Sequence, residues 1–228
     1  MTPAQRRRLI ALLAFFCICA GAPADGAMIG EPVAVAQSRQ FRLESELDFS
    51  RREVKLDGAC CADSEALRLM VKFSGRVHDR VELFGRVGGA LVHTLTGPGP
   101  NIHGDASLAI GGGVKTTLHE QGNVALGAGA QVLFHEADDD SLNVSIAWHE
   151  VDLFAGPSIA VRPDARVYGG LLASFIVGEL SNGVDLEARR TVGIFLGGHV
   201  QVTRAALFGL ELRLADEVAI SSRIGIIF

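Results

Sequence analysis

Cysteine, proline and aromatic residues are scarce in this chain. Of its 228 residues only 4 are cysteine and 7 proline, and aromatics make up 6%. Two of the cysteines, Cys17 and Cys19, fall in an N-terminal apolar run, which leaves the neighbours Cys60 and Cys61. Adjacent cysteines rarely bond each other, and one pair cannot staple a domain of this size, so a disulfide framework is excluded. No basic cluster exists beyond the N-terminus and the formal charge is −5, which argues against nucleic acid as a partner. Nowhere after that terminus is there a persuasive 3.6-residue apolar period. The seven histidines lack a ligand spacing such as H-x-x-x-H, so no metal centre and no bound cofactor is expected.

What is present begins with an export leader. Arg6, Arg7 and Arg8 precede an unbroken apolar run over 9–20, and small residues follow up to Ala22-Pro23-Ala24. That pattern is a cleavable secretory signal. The run is too short for a transmembrane helix, which needs about 18 apolar residues or more. The chain is therefore read as a signal peptide over 1–24, an extended periplasmic lead-in over 25–38, and one domain over 39–228.

From residue 40 onward the period is two. Leu67, Leu69, Val71 and Phe73 share one face, and Arg68, Lys72 and Ser74 the other. Val124, Leu126, Ala128, Val132 and Phe134 likewise oppose Gly127, Gly129, Gln131 and His135. Ten such runs occur, each longer than the five or six residues typical of a soluble strand. Long apolar strands left open would be aggregation edges. The fold expected is therefore all-β, a closed antiparallel up-and-down barrel of about ten strands, with eight as the alternative.

Which face is wet follows from composition. The polar parity carries glycine, alanine, serine and scattered ions of both signs, with little lysine. A narrow filled lumen can hold that mixture, whereas a solvent face would be rich in lysine and glutamate. Connections are short at one end and longer at the other, over 56–66, 93–105, 136–143 and 179–187. The apolar parity stays nearly free of charge over spans long enough to cross a bilayer at a tilt. The barrel is thus read as transmembrane, with both termini periplasmic and a monomeric state. Its interior network is assigned to Arg68, Lys72, Arg86, Glu211, Arg213 and Arg223. Trp148 and Tyr168 fall on the interior parity, although outer-membrane barrels place such aromatics in girdles outside.

At the C-terminus Ile220, Ser222, Ile224 and Ile226 alternate up to a terminal Phe228. This resembles the β-signal that the bacterial barrel assembly machinery reads. Together with the leader it makes the chain similar to the small outer-membrane β-barrel proteins, a superfamily with porin-like and surface members. The resemblance implies residence in the bacterial outer membrane, with outer-membrane lipid, lipopolysaccharide and the assembly machinery as partners. It also implies Ile220, Ile224, Ile226 and Phe228 as the assembly signal.

Chemistry is thin by comparison. No serine, histidine and acid gather in sequence at one rim, so no catalytic residue is assigned and a non-enzymatic structural or surface role, or a narrow solute pore, is expected. A rim enzyme and a soluble periplasmic ligand-binding barrel are the alternatives. The acidic stretch 136–140 reads as a solvated loop tip rather than a cation site, and Cys60-Cys61 as an inert loop pair. Gly111-Gly112-Gly113 lies within a strand pattern, which suits close packing of a barrel wall and not a phosphate loop. Deleting Phe228 is expected to cut membrane insertion and leave a degraded precursor; an unchanged yield of heat-modifiable barrel on gels would contradict the assembly signal.

Overall fold

A computed structural model describes residues 27–34, 41–56, 59–97, 101–215 and 217–228. The leader 1–24 lies outside the described residues. Twelve strands follow in chain order: β1 (Phe41–Leu56), β2 (Ala59–His78), β3 (Val81–Thr96), β4 (Ile102–Gly104), β5 (Ser107–Gln121), β6 (Val124–Asp139), β7 (Val144–Arg162), β8 (Ala165–Leu180), β9 (Asp185–Ala188), β10 (Val192–Gln201), β11 (Ala206–Leu214) and β12 (Glu217–Ile227). All but β4 and β9 form the wall. Each wall strand pairs antiparallel with its neighbour in sequence, β10 reaches past β9 to β8, and β12 pairs with β1 from Arg42↔Ile227 to Arg52↔Glu217. The fold is a closed ten-stranded antiparallel up-and-down barrel, so no wall strand is left with an open edge.

The period-two pattern sets which side chains leave the wall and in which direction. Leu69, Leu83, Leu126 and Leu212 are exposed outside, while Arg68, Arg86, Gln131 and Arg213 are buried inside. On β1 the outer face from Phe41 to Phe49 is apolar apart from Ser45 and then turns to Arg51; on β6 it is apolar up to Phe134 and then turns to Glu136. The apolar band therefore begins at the end where β1 starts and β12 finishes. Trp148 and Tyr168 face inward and are buried, so these aromatics belong to the filling of the barrel and not to a girdle.

Beyond the band the wall continues, and this corrects the expectation of long outer loops. Most of 56–66 is strand, β6 runs to Asp139, and the loops after β3 and β8 contain β4 and β9. Charged outward pairs carry the ladder past the apolar belt. Arg51 on β1 meets Asp63 at 2.7 Å and Glu65 at 3.7 Å on β2. At the β6–β7 turn the Asp139 carboxylate accepts from the Ser141 hydroxyl, the His103 N–H and the backbone N–H groups of Ser141 and Leu142. Led by the Ser141 hydroxyl, these bonds hold its acid dissociation down at about 2. Cys61 also lies in β2 instead of a loop, and it is disulfide-bonded, which revises the inert-pair reading; Cys60, Cys17 and Cys19 lie outside the described side chains.

The short strand β9 changes the geometry of the outer end. It pairs with β8 through Val177↔Glu187 and with β1 through Val54↔Ala188. Lower down, β10, β11 and β12 stand between β8 and β1. The outermost ring is therefore β1, β2, β3, β4, β6, β7, β8 and β9, joined at β4–β6 by the Asp105 N–H to the Asp138 carbonyl at 2.7 Å. Ten strands in the apolar band narrow to eight above it. With a charge at the bilayer midplane costing about 2–4 kcal/mol, Leu126→Arg on the outer face is expected to destabilise the barrel far more than Gln131→Arg on the inner face. Urea midpoints of the two variants in lipid vesicles check this.

Candidate functional site

The interior decides what the barrel can pass or hold, and it is filled in three storeys. An eight-stranded ring is just wide enough for side chains to fill it, and here they are apolar. Val54, Ala62, Leu95, Ile102, Ile146, Trp148, Ile176, Leu180 and Leu186 form one buried cluster across the outer end. Seven of the eight ring strands contribute to it.

Below this apolar cap lies an ionic layer. Arg52 and Arg213 each reach Glu217 at 2.9 Å, Arg52 and Arg68 approach Glu150 at 3.6 and 3.7 Å, and Arg213 meets Asp48 at 3.3 Å. The Ser221 hydroxyl donates to the same Asp48 carboxylate. One level further in, Lys72 sits between Glu44 at 3.4 Å and Glu46 at 3.2 Å, Arg86 approaches Glu46 at 3.7 Å, and Arg223 meets Glu44 at 3.5 Å. Three cations, Lys72, Arg86 and Lys115, stand 5.0–5.4 Å from the centre of the Phe84 ring, where the ring face adds an attraction of its own. Burying Arg52, Arg68, Lys72, Arg86, Arg213 and Arg223 is tolerable because each has a carboxylate within 4 Å; Lys115 donates to backbone carbonyls instead.

The third storey was not legible as such. Residues 27–34, expected as part of a periplasmic lead-in, run inside the barrel instead. Ala27, Met28, Ile29, Glu31, Val33 and Ala34 are all buried. A buried segment needs partners for its backbone, and the wall supplies them. The Glu211 carboxylate accepts from the Ile29 and Gly30 N–H groups at 2.8 and 2.7 Å. The Lys115 ammonium donates to the Ile29 and Glu31 carbonyls, Arg86 to that of Met28, Gln131 to that of Ala27, and Arg76 to that of Ala34. The Glu31 side chain is gripped by Arg166 at 2.8 Å and the Ser158 hydroxyl at 2.5 Å. Ile29 packs among Phe154, Tyr168, Leu172 and Phe195.

Two glycines make room for the segment. Gly30 turns at φ +72, and a Cβ there would lie 2.7 Å from Arg223 Nη1. A Cβ on Gly127 would lie 2.5 Å from the Pro32 carbonyl. The glycine excess of the interior parity thus serves close approach.

Compared with solved structures, the chain is similar to the COG4313 outer membrane channel from Pseudomonas putida F1. The TM-score is 0.55 at 12% identity, over 89% of this chain and all of that one. The chain has the fold of a bacterial outer-membrane β-barrel. Two further similar structures are the translocator domain of the autotransporter NalP from Neisseria meningitidis (TM-score 0.46, 10% identity, 84% of this chain and 89% of that one) and the outer membrane protease OmpT from Escherichia coli (0.43, 10%, 85% and 96%). No protein-family model and no curated protein matches the sequence.

Within this outer-membrane barrel fold the assigned interior residues divide into two groups. Arg68, Lys72, Arg86, Arg213 and Arg223 face the carboxylates of β1, β7 and β12 described above. Glu211 does something different: it lies 3.9 Å from Arg213 but holds the backbone of the inserted segment and accepts from the Tyr168 hydroxyl. Ile224, Ile226 and Phe228 are exposed on the outer face, Ile220 is half-buried on it, and the Phe228 N–H donates to the Phe41 carbonyl at 3.0 Å. Arg42, Arg52, Glu217, Glu31 and Phe84 escaped the sequence reading. For Phe84 the signal was there, since it alternates inward between Glu82 and Arg86. For Glu31 there was none, because alternation begins only after it.

Removing one partner of a buried pair costs about 3–5 kcal/mol, because the other charge stays behind. Arg223→Ala is therefore expected to lower the unfolding midpoint clearly, and Glu44→Gln made on top of it to restore part of the loss. A coupling above about 1 kcal/mol in that double-mutant cycle is the expected result, and strict additivity would refute the pairing.

Proposed function

We propose that this chain is a non-enzymatic integral protein of the bacterial outer membrane with a closed lumen, serving a structural or surface role. The observation that carries this reading is the pair of barriers in series among the described residues: the apolar cap at the outer end and the segment 27–34 below it. A pore would need both to move. The ionic layer between them supports the same reading, because paired ions filling a lumen hold the wall rigid and leave no water path. The leader 1–24 supports export, and the alternating end at Ile220, Ile224, Ile226 and Phe228 supports handling by the barrel assembly machinery. The wide apolar band supports contact with outer-membrane lipid and lipopolysaccharide.

The narrow solute pore is the second reading, favoured by the similarity to a protein described as a channel. Bilayer recordings separate the two. The purified protein is expected to give no steady conductance, and a variant lacking residues 27–34 none either, because the cap remains. Stable single-channel steps from the unaltered protein would establish the pore instead.

A further inference from the structure

One carboxylate in the lumen lacks the partner that the others have. Among the described residues, eight of the nine buried carboxylates of the lumen have a lysine or arginine within 4 Å. Asp152 on β7 has none. It is 1% exposed, its Oδ2 accepts from the Gln131 side-chain amide at 2.8 Å, and its Oδ1 has no hydrogen-bond partner. Glu150, two positions along the same inward face, puts a second negative charge beside it. A buried carboxylate without a counter-charge is costly, so this place calls for a cation.

The inserted segment brings its upstream end to this place. Its lower end sits near the short turns of the barrel, where Arg76 donates to the Ala34 carbonyl and the Thr117 hydroxyl accepts from the Ala34 N–H at 3.1 Å. From there the segment climbs to Ala27, which is buried against Met70, Ala109 and Leu133. The Gln131 amide nitrogen that donates to Asp152 donates also to the Ala27 carbonyl, at 3.1 Å. One nitrogen thus joins the start of the described segment to the unpaired carboxylate. Residues 25 and 26 add at most about 7 Å of chain, and cleavage after Ala24 makes residue 25 the head of the chain, with a free ammonium. Uncut, the chain would carry 24 further residues, Arg6, Arg7 and Arg8 among them, upward from Ala27 into a lumen filled by the ionic layer and closed by the apolar cap.

We propose that Asp152 is a binding site for a primary ammonium, and that its occupant is the chain's own α-amino group, created when the leader is removed after Ala24. The buried cations of the wall are already engaged: Lys72 and six arginines by carboxylates, and Lys115 by the carbonyls of Ile29 and Glu31. The ammonium at the head of the segment is the cation that the topology delivers to Asp152, and its N–H donors match the unpaired Oδ1. Processing and plugging are thereby linked. The cut shortens the chain so that 27–34 can seat, and it supplies the charge that anchors the upper end of the segment. This inference rests on removal of the leader and is independent of whether the lumen conducts.

The experiment uses the processed protein purified from outer membranes. Its intact mass is expected to correspond to a chain beginning at Asp25; a start elsewhere would overturn the leader reading and the site with it, whereas the remaining outcomes bear on the site alone. Acetylation by acetic anhydride, read by peptide mass mapping, is expected to modify the α-amine about tenfold more slowly in the folded barrel than in the urea-unfolded chain. The partly exposed Lys55 is the internal reference. Asp152→Asn is expected to restore much of the labelling rate and to lower the urea midpoint, and Asp152→Glu, which keeps the charge, to preserve the protection. With no ammonium at the site, Asp152→Asn would remove an unpaired buried charge and raise the midpoint, so the sign of the change decides. Gly-Ser-Gly-Ser inserted between Ala24 and Asp25 moves the ammonium away and leaves the wall unaltered. It is expected to lower the midpoint, and Asp152→Asn made on top of it to restore part of the loss. An α-amine labelled equally fast in folded and unfolded protein, a midpoint raised by Asp152→Asn, or a midpoint that ignores the insertion would each overturn the site. Heat-modifiable migration reports barrel formation for every variant; where Asp152→Asn forms no barrel, the labelling of the unaltered protein and the midpoint of the insertion decide.

Discussion

Every charge and backbone polar group inside this barrel must find a partner there, because lipid surrounds the wall and the lumen has little room for water. Among the described residues eight buried cations face nine buried carboxylates, Asp139 of the outer turn aside. The balance is kept locally as well as in total. Lys72 has two carboxylates within 3.4 Å, and Glu217 accepts from two guanidinium groups. One of the nine carboxylates, Glu31, arrives on the inserted segment, so the wall and the segment form a single electrostatic unit. The segment in turn satisfies Lys115 and Glu211 with its own carbonyl and N–H groups.

Strand number links the storeys. Ten strands enclose a lumen that arginine and lysine side chains can line while an extended peptide passes beside them. The same wall with β9 in place of β10, β11 and β12 encloses a ring that side chains alone fill. The change is possible because β10, β11 and β12 are short, at 10, 9 and 11 residues, and leave one edge of β8 beyond Ala173 and of β1 beyond Arg52 unpaired by them. β9 takes up those free edges. Capping the outer end and satisfying two strand edges are thus one structural event.

Much of this was legible in the chain. Alternation over Leu67–Phe73 and Val124–Phe134 determines which side chains leave which side of a strand, because the period is a property of the extended backbone. Scarce lysine and abundant glycine on one parity mark that side as a crowded interior. From these the barrel, its approximate strand number and its inverted facing follow. The inward placement of Arg68, Lys72, Arg86, Arg213 and Arg223 follows as well, since each shares a parity with its neighbours.

Partners, in contrast, are decided across strands. Arg223 meets Glu44 because β12 closes on β1, a contact 179 positions apart in the chain that no local spacing encodes. Glu211 holds the inserted segment, and only the position of Ile29 and Gly30 in the lumen reveals it. The segment carries no alternation, since its backbone is held by the side chains of distant strands and its own side chains need match no ladder. The outer extension of the wall escaped the sequence for a related reason: beyond the apolar belt the outward face turns charged and the inward face apolar, so the alternation changes its meaning although the hydrogen-bond ladder continues. Local periodicity therefore determined the wall and its facing, and tertiary closure alone decided what the wall encloses, because each enclosed group is paired by strands brought together only when the barrel shuts.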